Sequence, residues 1–253
     1  MSDDAPPAPP PDEPPVPAAP VIAFFDVDNT LLRGASIFHI GIGAFRRGLV
    51  RGRDIAVFAW HQLRFLRVGE NVRHMTTARD RALEIVGGHP VADIVALSDE
   101  IFDRALSRRL WPETVALARE HLARGHEVWL LTATPQLVAG IIAERLDVTG
   151  ALGTPVEEVD GLFTGRLAGP VMHGAEKADA ARALALERDA ALEDCWAYSD
   201  SSNDLPLLSL VGHPVVVNPD AALAAHAAAH GWPVMRLRAS SIRAARRAAR
   251  RTR

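Results

Sequence analysis

Apolar residues run through this chain in two rhythms. Short continuous runs of branched and aromatic residues fall at 21–25, 127–131, 195–199 and 214–217, with a weaker one at 234–237. Runs of that length and composition predict strands buried on both faces of a parallel sheet. Between them, apolar residues recur at helical spacing over 112–124, 135–146, 175–187, 203–210 and 220–230. Pro112 and Pro135 stand at helix starts, where a missing N–H costs nothing, and Gly125 stands where a helix would stop. Residues 151–154 read as a further short strand. Asp160-Gly161, between two half-apolar stretches, predicts a tight hairpin over 157–167. Strands alternating with helices require crossover connections and so a parallel, doubly wound sheet.

One long stretch breaks the alternation. Residues 36–105 hold no strand pattern, only helical periodicity over 36–47, 54–68, 72–86 and 91–106. Gly48, Gly52, Gly69, Gly87-Gly88 and Pro90 separate these segments. The expectation is a compact helical insert between the first strand and the rest, with Trp60, His61, Phe65 and His74 as its core and surface. The division expected is a tail over 1–20, an α/β core from 21–35 and 110–237, the insert over 36–109, and a second tail over 238–253.

The tails differ from the body in composition. The first 20 residues contain nine prolines and four acids with almost nothing to bury, which predicts a disordered tail of polyproline II character. The last 18 residues contain eight arginines and no acid, so a net charge of −3 leaves about −11 on the first 235. Arg243, Arg246, Arg247 and Arg250 would share one helical face and offer a weak contact to anionic lipid or RNA. A plain solvated tail is the expectation, and confinement of the basic residues to it argues against nucleic acid as the main partner. The single cysteine, Cys195, excludes an intrachain disulfide. No apolar run has the length of a membrane span and no secretory signal pattern is visible, so a cytoplasmic protein is expected.

The candidate chemistry sits at strand ends. The first strand runs directly into Asp26-Val27-Asp28-Asn29-Thr30. Carboxylates two residues apart on an extended chain face one way and repel, unless a cation or a shared proton compensates. The second strand ends in Thr132-Ala133-Thr134, the third in Asp200 with Asp204 close behind, and Lys177 lies near the start of a helix. A parallel sheet would bring these ends together at its crevice. Hard carboxylate oxygens suit Mg²⁺, while a hydroxyl, an open N–H and an ammonium suit phosphate oxygens. Phosphoryl transfer needs that mixture, because its catalysis is mostly positioning and charge stabilisation.

D-V-D-N-T at 26–30, L-L-T-A-T at 130–134, Lys177 and Y-S-D-S-S-N-D at 198–204 occur in the order of the four motifs of the haloacid dehalogenase (HAD) superfamily, which this chain resembles. It is most similar to the phosphoserine-phosphatase-like, HAD-IB type branch, over about 21–217. The resemblance implies a Rossmann-like three-layer α/β core with the insert as an α-helical cap. It implies an Mg²⁺-dependent phosphomonoester hydrolase acting on a small phosphorylated metabolite. Asp26 would be the nucleophile that becomes an aspartyl-phosphate, and Asp28 the general acid and then base. Mg²⁺ would be held by the Asp26 carboxylate, the Asp28 carbonyl and the Asp200 carboxylate, with Asp204 supporting its water shell or Lys177. Thr132, the Ala133 N–H and Lys177 would hold the phosphoryl oxygens, and Asn203 would contact substrate or phosphate.

The resemblance also implies departures. Phosphoserine phosphatases usually carry a glutamate soon after the first motif, and 31–40 here contains no acid. Thr132-Ala133 stands where that group typically has Ser-Gly. A pocket edged by Arg33, Arg46 or Arg47 would favour a more anionic or larger substrate. The same residues would serve a phosphotransferase or mutase, and a scaffold acting through its tails is the reading from another class. Oligomeric state and substrate stay open.

Overall fold

The computed structural model describes residues 19–48, 83 and 86–251. The expected helices over 54–68 and most of 72–86, with Trp60, His61, Phe65 and His74, lie outside the described residues, as do 1–18 and 252–253.

The sheet is six parallel strands. These are β1 (Ile22–Phe25), β2 (Glu127–Pro135), β3 (Gly150–Thr154), β6 (Trp196–Ser199), β7 (His213–Val217) and β8 (Val234–Met235), in spatial order β3-β2-β1-β6-β7-β8. The order reverses at β1, which sits between β2 and β6. A doubly wound sheet opens its crevice at such a reversal, outside the carboxyl ends of the strands.

Alternation within β1 shows why this sequence sits at the centre. Ala23 and Phe25 join one buried cluster, Ile22 and Phe24 the other, and all four are 0% exposed. The first cluster is covered by α1 (Ser36–Arg46), α2 (Val91–Ile101), α3 (Pro112–Ala123) and α4 (Gln136–Leu146), through Ile40, Leu97, Ala118 and Ile142 among others. The second is covered by α5 (Ala175–Glu187), the single-turn α6 (Leu205–Leu208) and α7 (Ala221–His230), through Ala181, Leu184, Leu207 and Leu223. Helices on both faces make the three-layer α/β architecture that the alternation predicts. Each fully buried Phe or Leu contributes about 1.5–3 kcal/mol.

The described part of the insert is helical as expected. α2 runs on through a wide turn over Phe102–Leu106 and a tight one over Ser107–Arg109 before Pro112 starts α3. The hairpin also forms, as β4 (Val156–Val159) and β5 (Leu162–Leu167) joined by Asp160 and Gly161, both at positive φ (51° and 76°). That pair of left-handed residues matches the twist of the strands, and only glycine adopts it without strain. The hairpin docks on the end of the insert through Gly88 N–H to Phe163 O (2.7 Å), Phe163 N–H to His89 O (3.1 Å) and Val91 N–H to Gly161 O (2.9 Å).

Two segments differ from the sequence expectation. β2 extends to Pro135 rather than stopping at 131, because Leu131 pairs with Leu152 and Pro135 with Thr154. Four positions on β2 thus face two on β3, and the surplus bulges outward. The arginine-rich segment is not a bare tail: Ala239–Arg251 forms α8, anchored by buried Ile242 beside α3 and Ser107–Arg109. Alanine and arginine are both strong helix formers, and one apolar contact suffices to dock the first turn.

Candidate active site

Asp26 continues β1 by one residue, its N–H donating to Tyr198 O at 2.9 Å. The chain then turns back sharply: Leu31 and Leu32 both donate to Val27 O, and Asn29 sits at φ 63° with its side-chain oxygen accepting from Gly34 N–H at 3.0 Å. Asparagine tolerates that left-handed conformation because its short side chain bonds locally. Asp28 Oδ1 accepts from Ser36 N–H at 2.8 Å. The residue before α1, Ala35, offers no side-chain cap, so Asp28 satisfies an orphan donor of that helix from a distance.

The bulge in β2 places the second group. Thr132 and Thr134 are buried and Ala133 is exposed at the crest. The Thr154 hydroxyl donates to Ala133 O at 2.8 Å, and Thr134 N–H to Thr132 Oγ1 at 3.2 Å, which fix the crest. Gly153 beneath it has no room for a side chain: a Cβ would lie 2.7 Å from Thr134 O and 2.8 Å from Gln136 Cα. Thr134 also shares a 2.8 Å hydroxyl contact with Ser36, tying the crest to the start of α1.

Lys177, in the first turn of α5, is 3% exposed and donates to Asp26 Oδ1 and Asp204 Oδ2, both at 2.7 Å. Ser199 Oγ donates to the same Asp204 oxygen at 2.7 Å. Asp200 follows β6; its carbonyl accepts from Asp220 N–H at 3.0 Å and its Oδ1 from the Thr30 hydroxyl at 3.5 Å. Three strand ends and one helix thus bring Asp26, Asp28, Thr132-Ala133, Lys177, Asp200 and Asp204 to one crevice. Asn203 lies on the adjoining loop, with its side-chain amide donating to Ser201 Oγ at 3.1 Å. Of the three arginines suggested for a pocket edge, Arg47 pairs with Glu100, Arg46 is exposed, and Arg33 lines a separate cleft.

The electrostatics are those of crowded acids. Burial pushes the Asp26 carboxyl up to about 7, with Lys177 pulling against it and Asp204 and Asp28 adding to it. Asp200 is pushed up to about 8 by burial and then by Asp26 and Asp204. Burial also raises Asp28, against the Ser36 donors. For Lys177, burial works to discharge the ammonium, but Asp26 and Asp204 outweigh it and raise its pKa. One ammonium among four carboxyls leaves an excess of negative charge that a divalent cation would relieve.

Among the described residues no three His, Cys, Asp or Glu side chains converge as a metal cluster. The donors at hand are two carboxylates and a backbone carbonyl. Mg²⁺ accepts such a set, since it keeps several waters and is commonly held by one or two carboxylates plus phosphate.

Sequence reasoning assigned no role to Thr30, Ser36, Thr134 and Ser199, all buried hydroxyls whose bonds join the candidate site's acids and the β2 crest to their surroundings. Thr30, Thr134 and Ser199 lie inside the quoted motifs, so their position was the available signal. Ser36 and Thr134 are 98 residues apart and only the fold joins them.

Comparison with known proteins bears on this geometry. The chain matches the family model for haloacid dehalogenase-like hydrolases over residues 23–209. It is 47% identical over 229 residues to the phosphoserine phosphatase SerB1 of Mycobacterium tuberculosis, covering 90% of this chain and 73% of that one. It is 28% identical over 219 residues to a histidinol-phosphatase of Neisseria meningitidis, covering 85% and 97%. A crystal structure of a Bordetella pertussis protein of unknown function superposes with a TM-score of 0.74 at 29% identity, over 86% of this chain and 99% of that one.

Proposed function

This chain belongs to the haloacid dehalogenase-like hydrolases and is a phosphatase; within that group we propose that it hydrolyses a small phosphorylated metabolite through an aspartyl-phosphate on Asp26. The observation that carries the reading is the contact of buried Lys177 with Asp26 and Asp204 at the point where the strand order reverses. A buried lysine bridging two acids is costly as structure alone and sensible where a phosphoryl group must be neutralised.

In this mechanism Lys177 holds Asp26 Oδ1, which leaves Oδ2 to attack phosphorus. The bond from phosphorus to the ester oxygen breaks as the new bond forms. Asp28, raised by burial, gives its proton to the departing oxygen. Water then attacks the same phosphorus, Asp28 takes a proton from it, and Asp26 is released as carboxylate. The Ala133 crest and Thr132 hold the phosphoryl oxygens, and Asn203 contacts the substrate side. Asp26, Asp200 and the Asp28 carbonyl would hold Mg²⁺, which when bound would supply charge that keeps Asp26 ionised and polarises the phosphoryl group. Asp204 acts from outside, by holding Lys177.

Residues 36–109 are proposed as the cap over this crevice, closing to exclude bulk water. For substrate class, phosphoserine and histidinol phosphate are both small amino-alcohol phosphates, and they define where a substrate panel begins. Phosphate release with Mg²⁺ or EDTA, for wild type and Asp26→Asn, tests the reading. Mg²⁺-dependent release that the variant lacks is expected. Equal release by the variant overturns it, and transfer to an added alcohol in preference to water reassigns the enzyme as a phosphotransferase.

A further inference from the structure

Away from the acidic crevice, the chain builds a feature of opposite sign. A cleft of about 450 Å³ opens between α8, the Ser107–Arg109 turn and the start of the segment after β1. Arg33, Arg108, Arg109, Arg243 and Arg246 line it, and among the described residues no acid does. None of these five has a carboxylate within ion-pair distance among the described residues; Arg104, also at its edge, pairs with Glu100. A second hollow of about 370 Å³ adjoins it across Arg108 and Arg246 and adds Arg250. Its acid, Asp103, is engaged by Arg145.

Five exposed arginines border this one cleft in a chain whose net charge is −3. Their mutual repulsion acts against docking of α8, whose apolar anchor is the one side chain Ile242. The arrangement is relieved by an anion that meets several arginines at once. The planar fork of arginine matches phosphate oxygens two at a time. Half-buried His39 on the wall is held below its ordinary pKa, first by burial and then by the neighbouring Arg109. The volume lies in the range of small-molecule sites, in a cleft that stays open to solvent. Residues 243–251 expose only alanine and arginine, so α8 offers no bulky apolar side chain to insert into a bilayer. Among the described residues no Phe, Tyr or Trp lines the cleft, and the half-buried imidazole of His39 is its one ring for a nucleic-acid base.

We propose that this cleft is a binding site for a small polyphosphorylated ligand, recognised through two or more linked phosphate groups. The site does not share a lining residue with the Asp26–Lys177 cluster, so the proposal stands apart from the phosphatase reading. Two walls of the cleft are tied to each other, Arg33 N–H donating to Arg109 O at 2.9 Å and Trp111 N–H to Leu31 O at 2.9 Å, and the third, α8, is held by buried Ile242.

The test is isothermal titration of the full chain with inorganic tripolyphosphate, inorganic phosphate and adenosine triphosphate. About 0.15 M salt screens long-range attraction, and divalent cations are stripped beforehand with EDTA that is then dialysed away, so that the chelator does not compete for the arginines. Without a divalent cation the acidic crevice repels these ligands. Tripolyphosphate is expected to bind at least about tenfold tighter than phosphate, because linked groups engage several guanidinium forks together. Arg243→Ala/Arg246→Ala should weaken it at least about tenfold, with the lysine pair intermediate, since lysine keeps the charge and loses the fork. Turnover of p-nitrophenyl phosphate in the absence of polyphosphate should be unchanged in both, which also reports that they fold. Equal affinity for adenosine triphosphate and tripolyphosphate marks an inorganic or phosphate-only ligand; tighter adenosine triphosphate marks a nucleotide. The proposal is overturned if tripolyphosphate binds no better than phosphate, if the double alanine variant binds it undiminished, or if only anionic vesicles or RNA bind.

Discussion

Replacing Lys177 with methionine removes one charge and leaves two buried acids without their partner. Nζ lies 2.7 Å from an oxygen of each, and the three side chains are at most 9% exposed. At an effective dielectric of about 20 each contact is worth about 6 kcal/mol before desolvation. Desolvation cancels most of that in the intact cluster, but removal of one partner typically costs about 3–5 kcal/mol. A surface lysine would cost less than about 0.5 kcal/mol. The loss should depend on pH. Asp26 already stands near 7 with Lys177 pulling it down, so without the lysine it rises further. A carboxyl raised in the folded state destabilises progressively as pH climbs from its unfolded value through its folded one. The variant therefore keeps losing stability above pH 7, where the wild type has levelled off for this group. Urea unfolding in EDTA at pH 5 and pH 8 measures both. A larger deficit at pH 8, within about 3–5 kcal/mol, is expected. A deficit below about 1 kcal/mol, identical at the two pH values, would refute the reasoning, since it would mean that the acids do not depend on Lys177.

Three further outcomes follow from the same geometry. Asp26 and Asp200, raised to about 7 and about 8, make the metal-free protein less stable as pH rises from about 4 to 8; the rise in melting temperature on adding Mg²⁺ should therefore be larger at pH 8 than at pH 6, and an equal or absent rise counts against Mg²⁺ at these residues. Ser199→Ala removes the 2.7 Å donor to buried Asp204 and should cost about 1–3 kcal/mol in chemical unfolding, together with a fall in kcat; unchanged values of both would show that Asp204 does not need it. Gly153→Ala sets a Cβ 2.7 Å from Thr134 O, pushes the β2 crest off β3 and should destabilise by about 1–3 kcal/mol and raise KM, because the proposed mechanism puts its phosphate donors on the crest; a loss of stability with KM intact would separate the crest from phosphate binding.

The legible parts of the chain were those in which local pattern and global role agree. Residues 22–25 are apolar on both faces because both faces are covered, so the central strand and its acids could be read together. Asp160-Gly161 announced the hairpin through backbone conformation alone. The register of β2 against β3 was not legible, since a bulge depends on the partner strand and on Gly153 lying under Thr134. α8 was obscured by composition: eight arginines in the last 18 residues outweigh one isoleucine in any local reading, yet that isoleucine finds a place beside α3. The cationic cleft was equally hidden, because Arg33, Arg108 and Arg243 meet only once the segment after β1, the turn before α3 and α8 are folded together. The hydroxyl pair of Ser36 and Thr134 belongs to the same class.

The central claim is that Asp26 carries the phosphoryl group between substrate and acceptor. Rapid acid quenching of the enzyme with a ³²P-labelled substrate, followed by proteolysis and mass spectrometry, tests it directly. The account predicts an acid-stable, hydroxylamine-labile label on the peptide that contains Asp26, absent with Asp26→Asn and absent in EDTA. A label on any other residue, or full turnover with no labelled enzyme at any quench time, would contradict it.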